Sequence, residues 1–123
     1  MRIMQAQEWS LVFYVEDSGA EPVADFLRTL DQRTKARFDW SIEQLVVRNV
    51  HAREPLVRHL AGKIWELRRE SDTNIYRLLY AFISKRRILF LHGFQKKTQK
   101  TPRREIELAE RRLTHFLARE GGE

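Results

Sequence analysis

Residues 64–94 read IWELRRESDTNIYRLLYAFISKRRILFLHGF. Three runs rich in apolar, aromatic and β-branched residues, 64–69, 75–83 and 88–94, are separated by Ser71-Asp72-Thr73 and Ser84-Lys85-Arg86. Side chains of this kind favour an extended backbone, and short polar breaks between such runs suit tight hairpins. The stretch therefore predicts a three-stranded antiparallel meander. If the first hairpin closes symmetrically about Asp72 and Thr73, Arg68 lies opposite Arg77, with Glu66 two positions along on the same side. Two guanidiniums on one sheet face repel unless a carboxylate or another anion lies between them. Either Glu66 satisfies both in a surface ion cluster, or the pair forms a site for one phosphate, which suits arginine's planar fork of donors.

Outward from the meander, residues 9–15 (WSLVFYV) read as a further strand, followed by the turn signal Asp17-Ser18-Gly19. Pro22 opens a short helix with an apolar stripe at Val23, Phe26, Leu27 and Leu30. Asp31 is placed to cap a second helix whose stripe is Phe38, Ile42 and Leu45, ending near Arg48. Two such helices predict an αα-hairpin laid on the sheet. Residues 52–62 read as a connector containing Pro55 and Gly62, and the run Phe94-Gln95-Lys96-Lys97-Thr98 as the chain leaving the third strand for a polar loop. Thr101 as cap and Pro102 as first helical residue start a last helix, with Ile106, Ala109, Leu113 and Phe116 on its apolar face and Gly121-Gly122 at its end. The expected fold is a single α/β (α+β) domain over residues 1–123, with a small, mainly antiparallel sheet, two N-terminal helices and a C-terminal helix.

Charge is unevenly placed. The chain has 23 basic and 17 acidic side chains, yet residues 73–104 contain nine of the basic ones and no Asp or Glu. The remainder is net acidic, so the cationic field is concentrated on the most strand-like segment, where it attracts polyanions. Absence of cysteine excludes disulfides, thiolate chemistry and cysteine-based zinc sites, and agrees with a reducing cytoplasm. Residues 1–14 lack the apolar run of a signal peptide or membrane span, so no membrane association is expected. No phosphate-binding glycine motif occurs, and His51, His59 and His115 have no metal-ligand spacing, so no cofactor is expected. His92 is the only histidine within the meander.

The strings LAGKIWELRRE, IYRLLYAF and ILFLHGFQKKTQKTPRREIELAERR, together spanning most of residues 60–112, resemble the phage-derived HigB-like branch of the RelE superfamily of bacterial toxins. That resemblance implies two helices packed on one side of a small curved sheet. It also implies a toxin that cleaves messenger RNA in the decoding site of the ribosome and is neutralised by a helix-turn-helix antitoxin. Arg77 matches the arginine of the family's central strand, and Lys96 or Lys97 matches the basic position closing the last strand. Lys63 and Arg68 fall where relatives carry basic residues, whereas Glu66 stands where some have lysine. Many members use a C-terminal tyrosine; residues 102–119 contain none.

Metal-free cleavage requires the 2′-hydroxyl to attack the adjacent phosphorus while the 5′-oxygen leaves. On this reading Arg77 and Arg68 stabilise the phosphate. Lys96, flanked by cations that disfavour its charged form, transfers a proton, with His92 as the alternative. Lys63, Lys97, Lys100 and Arg103 are the RNA-binding candidates. Two rivals belong to other classes: a noncatalytic RNA- or ribosome-binding module, and a gyrase-inhibiting toxin of the same superfamily.

Overall fold

The three apolar runs pair as β3 (Ile64–Ser71), β4 (Asn74–Ile83) and β5 (Arg87–Lys96), each antiparallel to the next. Arg68 faces Arg77 across the first hairpin, in the register that continues to the pair Ser71 and Asn74. The computed structural model describes residues 8–71, 73–97 and 100–121. Asp72, Thr98, Gly122 and the first seven residues, all part of the sequence-based expectations, lie outside these.

Two edge strands complete the sheet. β1 (Ser10–Phe13) pairs parallel to β5, and β2 (Val57–Ala61) pairs antiparallel to β3, giving the order β1-β5-β4-β3-β2. β2 corrects the expectation that residues 52–62 are only a connector. It is short and bulged between His59 and Ala61, with polar Arg58 and His59 exposed, so its alternation is too weak to read beside Pro55 and Gly62. β5 also runs further than expected. Gln95 and Lys96 pair with Tyr76 and Ile75, so ladder hydrogen bonds hold a polar segment extended.

Helices α1 (Pro22–Arg28) and α2 (Gln32–Arg48) cover one face. Val23 and Leu27 of α1 and Phe38, Ile42 and Leu45 of α2 pack in one core cluster with Leu67, Leu78, Tyr80, Ile88 and Phe90 of the sheet. The expected cap forms: the Thr34 backbone N–H donates to Asp31 Oδ1 at 2.8 Å, which holds the Asp31 carboxyl below its ordinary pKa. Helix α3 (Arg103–Arg119) covers the opposite face, with Ala109 and Leu113 against Ile64, Leu79, Ala81, Leu89 and Leu91. Among the described residues no helix is long and apolar enough to cross a membrane.

One irregularity sets the chemistry of the α3 face. Tyr80 pairs with Phe90 but Leu79 pairs with His92, so Leu91 is an extra residue in β5. Such a bulge inverts the alternation beyond it. Before it Leu89 faces α3; after it His92, Phe94 and Lys96 lie opposite Leu79, Arg77 and Ile75. Gly93 then turns toward α1, where an added Cβ would strike the Phe26 ring and come within 2.9 Å of Leu78 Cδ2. Gly93→Ala is expected to destabilise the domain by about 1–3 kcal/mol through overpacking. Urea unfolding of the purified variant checks this, and unchanged stability would mean that α1 yields freely.

Candidate functional site

At the end of the sheet where β3 turns into β4, charged side chains meet on the α3 face. Glu66 is almost fully enclosed, and its Oε1 lies 3.3 Å from Arg77 Nε and 4.0 Å from Arg68 Nε. The cluster that parity anticipates is therefore present, but in the interior: the Arg77 side chain is 3% exposed and that of Arg68 is 27% exposed. Arg77 Nη1 donates to the Tyr76 carbonyl at 2.9 Å. Its Nε finds no aligned hydrogen-bond acceptor among the described residues, so the contact with Glu66 is chiefly ionic. Burial pulls the Arg77 guanidinium below its ordinary pKa, opposed by the Glu66 carboxylate.

Thr101 closes the other side of Glu66 by donating its hydroxyl to Oε2. This corrects the expectation that Thr101 caps the last helix. Pro102 occupies the N-cap with no side-chain cap bond, because the threonine hydroxyl is committed to the buried carboxylate. An uncompensated carboxylate in the core would cost more than one lost cap.

Lys96 is buried at the end of β5. Burial is the largest influence on its ammonium and lowers its pKa; Glu66 raises it, and Arg77, Arg68 and Arg58 lower it further. Arg58 was invisible as a site residue because its strand was unrecognised. It lies opposite Glu66 on β2 and forms a 3.6 Å ion pair with Glu54. A cleft of about 250 Å³ opens beside Lys96, lined by Phe94, Lys97, Pro102, Arg104 and Glu105 among others. Lys97 is exposed there.

The remaining candidates are placed differently. Lys63 sits in the turn between β2 and β3, roughly 17 Å along the strand from Arg68 at about 3.4 Å per residue, and does not join the cluster. Arg103 is exposed and pairs with Glu107 at 3.1 Å, while its neighbour Arg104 lines the cleft. One step along a helix turns the side chain by about 100°, which a count of basic residues does not register. Lys100 is exposed just before α3.

His92 is held between two side chains of α3. Nε2 lies 2.8 Å from Glu105 Oε1, and Arg112 Nη1 lies 3.4 Å from Nδ1. Arginine only donates, so Nδ1 accepts and the proton resides on Nε2, donating to Glu105. Both ring nitrogens are engaged, which fits a clamp on α3 better than proton transfer. Burial is the main cause of a lowered His92 pKa, partly offset by Glu105.

Two outcomes are expected. Glu66→Ala should cost about 3–5 kcal/mol in urea unfolding, since it leaves the Arg77 charge buried alone, whereas Glu66→Leu/Arg77→Met should recover most of the loss. For His92, a folded pKa below the unfolded value near 6.5 means the unfolded chain binds more protons in between. Its contribution is thus complete above about pH 6.5 and is lost as pH falls through that value toward the folded pKa. His92→Gln should flatten this part of the stability profile, read as melting temperature between about pH 7.5 and 5.

No functionally curated protein matches the chain significantly. Residues 25–114 match the family described as "Phage derived protein Gp49-like (DUF891)", a span that includes α2, the complete meander and most of α3. With well over half of its length matched, this chain belongs to the Gp49-like family of phage-derived proteins.

Proposed function

We propose that this protein is the toxin of a type II toxin-antitoxin system, of the RelE/HigB-like kind, and acts as a metal-independent, ribosome-dependent mRNA endonuclease in the cytoplasm. The observation that carries the reading is the buried lysine, Lys96, which lines a cationic cleft and has a lowered pKa among neighbouring arginines that include Arg68. Membership of a phage-derived family supports it.

In the proposed reaction, Arg68 is the partly exposed guanidinium that meets the phosphate as negative charge accumulates. Lys96, as the neutral amine favoured by burial and neighbouring cations, takes the 2′-hydroxyl proton. The oxygen attacks phosphorus, the bond to the 5′-oxygen breaks, and the adjacent Lys97 ammonium, exposed at the cleft, returns a proton to that oxygen. Arg77 is committed to Glu66 and, unlike Lys96, does not line the cleft; it acts as a positioning residue by holding Glu66, and through it Arg68. The ribosome supplies the in-line RNA geometry that so small a catalytic set does not. A helix-turn-helix antitoxin with an acidic surface would complement the basic cleft.

The mutual neutralisation of Glu66 and Arg77 favours a second reading, a noncatalytic RNA- or ribosome-binding module. Primer extension on ribosome-bound mRNA separates the two. Arg68→Ala should lower cleavage on the order of 100–1000-fold with little change in melting temperature. Lys96→Arg should lower it on the order of 100-fold or more and remove the rise of rate with pH that deprotonation of Lys96 produces. Arg77→Ala should lose both activity and stability. Unaltered mRNA 5′ ends on expression of the wild-type protein, despite RNA binding, would replace the nuclease by the binding module.

A further inference from the structure

A second cationic site lies outside the basic 73–104 segment. On the α1/α2 side of the sheet, a cavity of about 390 Å³ separates the C-terminal half of α2 from the end of β3. Its walls carry Trp40, Arg48, Arg53, Arg68 and Arg69. Trp40 is 53% exposed, an unusual position for the largest aromatic side chain, and the Arg69 guanidinium lies 6.0 Å from its ring centroid.

The arginines here are short of counter-charge. Among the described residues Arg48, Arg53 and Arg69 form no ion pair, and Arg53 Nη1 is satisfied only by the backbone carbonyls of Val50 and Ala52. Among the described residues Arg69 Nε is buried with no hydrogen-bond partner, and no carboxylate lines the cavity. Four guanidiniums around one concavity repel each other unless an anion enters it. β2 begins only at Val57, and the Arg68 N–H still donates to the Leu56 carbonyl at 3.3 Å; Arg68 stands at this edge, lining the cavity while its Nε lies 4.0 Å from Glu66 on the other side. One residue is thus shared by both sites.

We propose that this cavity binds one nucleotide of single-stranded RNA, its base stacked on Trp40 and its phosphate on Arg48, Arg53 and Arg69, in the strand whose neighbouring phosphate reaches Arg68. An aromatic platform beside a cationic track is the usual means of holding single strands without sequence readout. The assignment deepens the nuclease reading by adding a subsite for substrate away from the reacting bond. An acidic peptide would satisfy the arginines too, but the flat indole and the absence of a closed apolar pocket favour a base.

The probe is a fluorescein-labelled single-stranded RNA hexamer, with affinity read by anisotropy over a salt series and contact read by quenching of tryptophan emission. Trp40→Ala should weaken binding by about 5- to 150-fold and remove most of the quenching, while Trp40→Phe retains most of the affinity. Arg48→Gln/Arg53→Gln should flatten the plot of log affinity against log salt by up to about 0.7, the value for one phosphate contact. Melting temperatures of these surface variants confirm folding. Hexamer binding that is unmoved by both variants overturns the subsite, whatever the cleavage assay reports. So does a Glu-rich peptide that binds more tightly than RNA at equal salt and depends on Trp40 while the RNA does not. Trp40-dependent binding with no cleavage of ribosome-bound mRNA leaves the subsite standing and removes the nuclease.

Discussion

The site end of this domain depends on one buried ion pair. Removing Glu66 and Arg77 from water is expensive, and the two charges offset that expense only while they remain together. The pair joins neighbouring strands of the meander. Through Thr101, its carboxylate also fixes the segment that leads into α3. Further along that helix Arg112 donates to the Leu91 carbonyl at 2.8 Å, and Glu105 holds His92. These polar ties specify how α3 crosses the sheet, where apolar contacts alone would allow sliding.

The extra residue in β5 decides which functional groups can meet. Without the bulge at Leu91, strict alternation would turn Lys96 toward α1 and α2, away from Glu66 and Arg77. With it, Lys96 is buried among Glu66, Arg77, Arg68 and Arg58; burial first, and then the three arginines, make its ammonium easier to deprotonate against the opposing pull of Glu66. The same inversion sends Gly93 to the opposite face, where the absence of a side chain lets Phe26 pack closely. A buried lysine with a lowered pKa and a tightly packed helix are therefore two results of one backbone irregularity.

Cationic character is likewise a property of the folded surface. Along the chain, the arginines of α2 are interleaved with Asp39 and Glu43 and look like an ordinary solvated helix. Folding brings Arg48 and Arg53 beside Arg68 and Arg69 of β3, producing a concavity of one sign in the net-acidic part of the chain outside residues 73–104. Arg68 belongs to this cavity and to the Glu66 cluster, so the two regions are adjacent across the edge of β3.

Much of the fold was legible because local rules act strongly where they were read. Polar breaks placed the meander, period-3.6 stripes placed the three helices, and hairpin symmetry placed Arg68 opposite Arg77. The juxtaposition of Glu66 with both arginines follows from the same register. Beyond that, tertiary structure decided. It recruited residues 57–61 as an edge strand, because pairing with β3 overrides a weak alternation. It placed the cluster of Glu66 with the two arginines in the interior, where one of the two sequence readings had it on the surface, because α3 and Thr101 cover it. It separated Lys63 from the cluster and brought Arg58 and Arg104 toward it, since distance along a strand and rotation about a helix do not follow distance in sequence. By itself the sequence determined the meander with its pairing and the three helices, which depend on neighbouring residues. Burial, and with it the protonation of Lys96 and the accessibility of each arginine, was decided only where distant segments close over one another.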